Sequence, residues 1–210
     1  VLLHACCHNP TGVDLNTEQW KIIAELIVEH ALIPFLDIAY QGFGVSLDED
    51  GFVVRLFTER CKNLIISNSF SKSFSLYGER IGGLSIVSSS AEEAKRVQSQ
   101  LKRLIRTNYS NPPIYSGAVV ETVLADSDLK SQWDTELGGM RERIKHMRLE
   151  LSSNIAKLCP DVDFSFITRQ QGMFSYSGLT REQVVRLREE YSIYAIESGR
   201  ICVAALNSKN

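Results

Sequence analysis

Short apolar runs alternate with helix-spaced segments from Leu2 to Ile105, and this alternation restricts the fold more than any other feature. Leu2–Cys7 reads as a buried strand. Asn16 or Thr17 then caps a helix whose apolar residues Trp20, Ile23, Ala24 and Ile27 fall at helical spacing. Ile33–Leu36 predicts a second strand ending at Asp37. A helix near Phe52–Arg60 leads to a third strand, Leu64–Ile66. Gly83–Val87 predicts a fourth strand, and Ala91–Ile105 a helix with Lys and Arg on its outer face. Strands and helices alternating at these lengths imply an α/β chain, a parallel sheet with covering helices.

The pattern changes after Asn111-Pro112-Pro113. Helices are expected at Ile114–Ala125 and, without an interrupting proline, from about Leu129 to Leu158. Beyond them, Phe164–Phe166, Met173–Tyr176, Ile193–Ile196 and Ile201–Ala204 read as short strands. Arg181–Tyr191 reads as a helix capped by Thr180. The expected organisation is a large domain over residues 1–139 and a smaller α+β domain over 140–210, with the boundary inside the long helix.

Each of the first three strands ends in unusual polar residues: His8-Asn9-Pro10-Thr11-Gly12, Asp37-Ile38-Ala39-Tyr40, and Ser67-Asn68-Ser69-Phe70-Ser71-Lys72. In an open parallel sheet, ligands bind beyond the carboxyl ends of the strands. Lys72 among small hydroxyl residues can form a Schiff base with an aldehyde. Ser69, Ser71 and Arg80 can hold a phosphate by hydroxyl donation and charge. An aldehyde and a phosphate on one molecule describe pyridoxal 5′-phosphate. Asp37 suits its pyridine nitrogen, because a carboxylate raises the pKa of a cationic neighbour and keeps it protonated. Tyr40 and Asn9 can donate to the phenolic oxygen. Lys72, once released, is an amine able to move a proton between the substrate Cα and the cofactor.

These segments, with Gln41-Gly42-Phe43 and Tyr109-Ser110-Asn111-Pro112-Pro113, resemble class I aminotransferases, most closely those acting on aspartate. The order and spacing hold over essentially the whole chain. The resemblance implies the fold type I architecture of pyridoxal-phosphate transferases, a homodimer, and cofactor binding by Asn9, Asp37, Tyr40, Ser69, Ser71, Lys72 and Arg80. It implies transfer of an amino group between L-aspartate and 2-oxoglutarate, giving oxaloacetate and L-glutamate by a ping-pong cycle. A related enzyme of aromatic or broader specificity, and a catalytically incomplete fragment, are the alternatives.

The resemblance also assigns substrate contacts. Ser198-Gly199-Arg200 matches the motif whose arginine grips the substrate α-carboxylate, a task suited to a guanidinium because it meets a carboxylate bidentately. Arg106, in Leu104-Ile105-Arg106-Thr107, matches the arginine that crosses the dimer interface to the distal carboxylate. Phe174, in Gln171-Gly172-Met173-Phe174, matches a pocket-lining aromatic, and Asn9 adjoins the substrate. Cys202 and Ala205 depart from the more usual asparagine and glycine. The family's upstream phosphate cradle, ring-stacking aromatic and partner-directed tyrosine have no counterpart here, nor does its final helix.

Charge and composition narrow the remaining classes. A formal net charge of −2 implies no bulk attraction to nucleic acid or anionic membrane. The basic face with Lys95, Arg96, Lys102 and Arg103 lacks the interleaved aromatics of a nucleic-acid surface. No apolar run is long enough to span a bilayer. Five unpaired-looking cysteines suggest reduced thiols. On a strand, His4, Cys6 and His8 share one face and Cys7 points away, so no metal site is expected there. Val1 already lies inside a strand pattern, which predicts an internal piece of a longer protein, cytoplasmic or mitochondrial, with its targeting segment outside these residues.

Overall fold

The computed structural model describes residues 1–207. Its first half forms β1 (Leu2–His4), α1 (Thr17–Glu29), β2 (Phe35–Ile38), α2 (Leu47–Asp50), α3 (Phe52–Arg60), β3 (Leu64–Ser69) and β4 (Gly82–Val87). The four strands make one sheet in the order β1-β2-β3-β4. β1–β2 and β2–β3 are parallel, and β3–β4 is antiparallel.

The two faces of this sheet have different fates. Leu36, Ile38, Leu64 and Ile66 are buried, in one core with Trp20, Ala24 and Ile27 of α1 and Val53, Leu56 and Phe57 of α3. Each such side chain, fully buried, contributes about 1.5–3 kcal/mol. The alternate residues point the other way. Register aligns Leu2, Phe35, Ile65 and Ile86 in one row and His4, Asp37, Ser67 and Leu84 in the next. Asp37 and His4 therefore lie on the face opposite the helices.

Local chemistry sets the helix starts. Asn16 and Gln19 form a reciprocal capping box on α1, satisfying two otherwise orphaned amides. Thr180 and Gln183 do the same for α8 (Arg181–Tyr191). Between them lie α4 (Ala91–Asn108), α5 (Ile114–Ala125), α6 (Ser127–Leu158), α7 (Phe166–Arg169) and β5 (Phe174–Tyr176); β6 (Arg200–Cys202) follows α8 and pairs antiparallel with β5. Asp126 caps α6, accepting from the amides of Asp128 and Leu129.

α6 joins the central core to the segment around β5. Leu137 and Ile144 join the central core, and Arg148 is buried with no carboxylate partner among the described residues. Its guanidinium donates instead to the carbonyls of Ile167 (3.2 Å), Gly172 (2.6 Å) and Phe174 (2.8 Å), and to Ser175 Oγ. Burial lowers the pKa of Arg148 to about 10.

Four expectations need correction. The first strand ends at His4 rather than Cys7, because Cys7 takes a left-handed φ of 52° and its amide turns to Asp14 Oδ2 at 2.7 Å. β4 is antiparallel to β3: a parallel return needs a crossover helix, and Phe70–Ile81 contains only one helix-like turn and a 3₁₀ turn at Tyr77–Glu79. Phe164–Phe166 is not a strand. The Ser165 amide bonds Asp163 Oδ1, starting the turn into α7. Ile193–Ile196 is also outside any strand, with Ile193 and Tyr194 exposed.

Candidate active site

Three loops at the carboxyl ends of β1, β2 and β3 carry Asn9, Tyr40 and Lys72. In the first, Asp14 Oδ2 and Oδ1 accept from the amides of Cys7 (2.7 Å) and His8 (2.8 Å), which folds the loop back on itself. His8 Nδ1 lies 2.6 Å from Thr11 Oγ1, and the Asn9–Pro10 peptide is cis. In the second, Asp50 accepts from the amides of Gly42 (2.8 Å), Gly44 (2.9 Å) and Val45 (2.9 Å), fixing the chain just after Tyr40. Gly42 has φ 92°, and an added Cβ would lie 2.4 Å from Leu137 Cδ2. In the third, one helix-like turn carries Lys72. Phe74 N donates to the Phe70 carbonyl at 3.2 Å, and Ser75 N to the Lys72 carbonyl at 3.1 Å.

A connected set of side chains results. Lys72 Nζ stands 4.7 Å from the centroid of the Tyr40 ring and 6.0 Å from that of Tyr77. Asn9 Nδ2 donates to Tyr40 Oη at 3.3 Å, and Asn9 Oδ1 accepts from Arg200 Nη1 at 2.9 Å. The Arg200 guanidinium lies 4.5 Å over the Phe174 ring, which meets Tyr40 edge-on at 6.1 Å. Residues far apart in the chain, from Asn9 to Arg200, thus share one cluster.

Asp37 joins from the side. His4 Nε2 is 4.0 Å from Asp37 Oδ2, and His4 Nδ1 accepts from the Asn9 amide at 3.4 Å. That bond assigns the His4 proton to Nε2, facing the carboxylate. Burial raises the pKa of the Tyr40 hydroxyl; the Asn9 hydrogen bond and Arg200 act against that shift. Burial, and then the neighbouring His4, lower the pKa of His8.

Ser69 ends β3 and Ser71 lies two residues on, where the Ser71 amide donates to Ser69 Oγ at 3.2 Å and Ser71 is buried. Arg80 has a left-handed φ of 55° and is exposed, with Nη1 on the Tyr77 carbonyl at 2.9 Å. Arg106 stands apart from the cluster. It is exposed in the last turn of α4 and donates to Ser110 Oγ.

Several contributors escaped the sequence reading. Asp14 and Asp50 hold the loops through backbone amides, and nothing local marks them as different from surface carboxylates. Trp133 of α6 donates from Nε1 to the Ser73 carbonyl at 2.7 Å, a partner 60 positions away. The ligand atoms of Cys6, Cys7 and Asp50 lie within 4.8 Å of one another. Their chemistry disfavours a metal: Asp50 already accepts three amides, and the Cys7 thiol is held protonated by its hydrogen bond with Cys6 and by burial.

An ammonium facing a phenol, a carboxylate on the same sheet face and a guanidinium reached through a carboxamide suit amine chemistry on an acid substrate. Among known proteins, an aspartate aminotransferase of Pseudomonas aeruginosa is 56% identical over all 210 residues, which cover 53% of that protein. An aromatic-amino-acid aminotransferase of Escherichia coli is 51% identical over the same residues, again 53% of its length. A crystal structure of an aromatic-amino-acid aminotransferase from Burkholderia pseudomallei, covalently bound to pyridoxal phosphate, superposes with a TM-score of 0.98 at 60% identity. The superposition covers 100% of this chain and 52% of that one. The chain therefore spans about half the length of the curated relatives it matches. A family model described as aminotransferase class I and II matches residues 1–210, and the chain belongs to that family.

Proposed function

We propose that these residues are the second part of a pyridoxal-phosphate-dependent aminotransferase of the relatives' length, acting on L-aspartate and 2-oxoglutarate. The observation that carries this reading is the placement of Lys72 Nζ, 4.7 Å from the Tyr40 ring and linked through Tyr40 and Asn9 to Arg200. When bound, pyridoxal phosphate supplies an electron sink for the charge left at the substrate Cα.

This chain's residues do the rest. Lys72 Nζ would hold the cofactor's aldehyde carbon, and as a free amine it would move a proton to and from the substrate Cα. Asp37 would keep the ring nitrogen protonated, with His4 Nε2 4.0 Å from its carboxylate. Tyr40 and Asn9 donate to the phenolic oxygen, and burial keeps the Tyr40 hydroxyl protonated for that purpose. Ser69, Ser71 and Arg80 would hold the phosphate by hydroxyl donation and charge. Arg200 holds the substrate α-carboxylate while stacked on Phe174, which lines the pocket. Arg106 reaches the distal carboxylate in the neighbouring subunit of a homodimer. The domain boundary lies near residue 140 in α6, dividing 1–139 from 140–210.

A second reading has specific support: two of the similar proteins act, by name, on aromatic amino acids. It makes the enzyme dual in specificity, with Arg106 moved aside for a neutral side chain. Its exposed position and single-hydroxyl anchor at Ser110 allow that motion.

The test uses the full-length protein. Amino transfer from aspartate to 2-oxoglutarate is expected, and Lys72→Ala should lower kcat by about 10²–10⁴-fold or more. Unchanged turnover in that variant refutes the reading. Arg106→Leu should cost aspartate far more than phenylalanine; equal losses would remove its selectivity role.

A further inference from the structure

The turn that carries Lys72 is held by a residue distant in sequence. Trp133 Nε1 donates to the carbonyl of Ser73, the residue after Lys72, at 2.7 Å. Its indole stacks on Phe74 with centroids 4.5 Å apart and planes 24° from parallel. Phe74 meets Phe70 edge-on at 5.4 Å, closing the aromatic group across both ends of the turn. The same three aromatics, with Ser73, border a cavity of about 420 Å³. The turn therefore borders open space on that side, and Trp133 is the lining residue that hydrogen-bonds it.

Trp133 also has companions on its helix. Arg141 donates to the Gly42 carbonyl at 2.9 Å, two residues beyond Tyr40. Arg148 donates to the carbonyl of Phe174 itself at 2.8 Å. Positions 133, 141 and 148 fall within about 80° of one another at 100° per residue. One face of α6 therefore supplies a donor beside Lys72, a donor beside Tyr40 and a donor at Phe174.

We propose that Trp133 is a positioning residue for Lys72: its N–H on the Ser73 carbonyl and its stacking on Phe74 fix the turn that aims Nζ over Tyr40, and α6 ties that aim to the strand carrying Phe174. Without the indole N–H, the Ser73 carbonyl loses a well-aligned donor and the turn gains rotational freedom. Nζ then spends less time over the Tyr40 ring. Cofactor affinity through the phosphate contacts is left in place, because Trp133 touches none of Ser69, Ser71 or Arg80 in its hydrogen bonding.

The proposal rests on the Lys72 reading above, and the experiment separates the two. Full-length holoenzyme is titrated with pH while the visible absorbance of the bound cofactor is followed, for wild type, Lys72→Ala, Trp133→Phe and Phe74→Leu. Trp133→Phe keeps an aromatic stack and removes the donor; Phe74→Leu keeps the donor and removes the stack. The expected result is a wild-type transition absent from Lys72→Ala and displaced in Trp133→Phe by about half a pH unit or more, the scale of one hydrogen bond. kcat should fall about three- to tenfold in Trp133→Phe with little change in KM, and Phe74→Leu should move the transition in the same direction. Should Trp133→Phe prove too unstable to titrate, Phe74→Leu alone decides by the same displacement. Transitions and kcat identical to wild type in the variants overturn the role of Trp133 while leaving Lys72 intact. A transition that survives Lys72→Ala overturns both.

Discussion

Asn9 works as an asparagine because its carboxamide faces two ways, donating to Tyr40 and accepting from Arg200. An aspartate cannot donate to the phenol, and its charge would compete with substrate for the guanidinium. Asn9→Asp should therefore raise KM for the amino acid by about tenfold or more, a magnitude set by one charged hydrogen bond; steady-state kinetics on aspartate measures it. His8 gives a pH prediction with a definite sign. Its folded pKa is below the ordinary 6.5, because burial and His4 oppose the charged ring. Its contribution to stability is present above that value and is lost as pH falls below it, since the unfolded chain binds the proton more readily. His8→Gln should flatten the fall of the urea midpoint between pH 7 and pH 5; an unchanged slope would contradict the assignment. At this scale the sequence was most readable where a residue sits in a compact motif, as Asn9, Asp37, Lys72 and Arg200 do. Trp133 and Asp50 were hidden because their meaning lies in backbone groups brought near by folding.

Elements were legible in proportion to their local signals. α3 and α5 span Phe52–Arg60 and Ile114–Ala125, as their spacing predicts, and α1 and α8 start at their capping residues. Short strands were less legible because a strand exists only by pairing. Ile193–Ile196 has apolar character but no ladder partner, and β4 reversed direction for lack of a crossover helix. The join between α6 and β5 makes two predictions. Arg148→Met removes the guanidinium donor from the carbonyls of Gly172 and Phe174 and from Ser175 Oγ, while Ile167 keeps the Gln170 amide, and should cost about 3 kcal/mol in denaturant unfolding. Gly172 has φ 77°, and an added Cβ would lie 2.5 Å from Cys7 Cβ. Gly172→Ala should destabilise by about 1–3 kcal/mol from backbone strain alone, with more from the clash.

At the scale of the whole molecule, the sheet has one covered and one open face. Leu2 is 63% exposed, Phe35 36% and Leu84 54%, all on the side away from α1 and α3. The 210 residues alone should therefore bind a hydrophobic dye and associate on concentration. A monomeric, dye-silent chain would contradict this. The proposed homodimer is tested by mixing. If Arg106 serves the neighbouring site, Arg106→Leu and Lys72→Ala subunits, each nearly inactive, should regain about a quarter of wild-type activity when reassembled at random; no recovery would place both residues in one subunit's site. The domain count and the arginine's destination depend on parts of the assembly that local sequence cannot display, whereas the α/β class was visible in the alternation itself. The most direct measurement is to load the full-length protein with pyridoxal phosphate, trap the lysine linkage with borohydride and map the modified peptide by mass spectrometry. The account predicts the label on Lys72 and on no other lysine; a label elsewhere, or none, contradicts it.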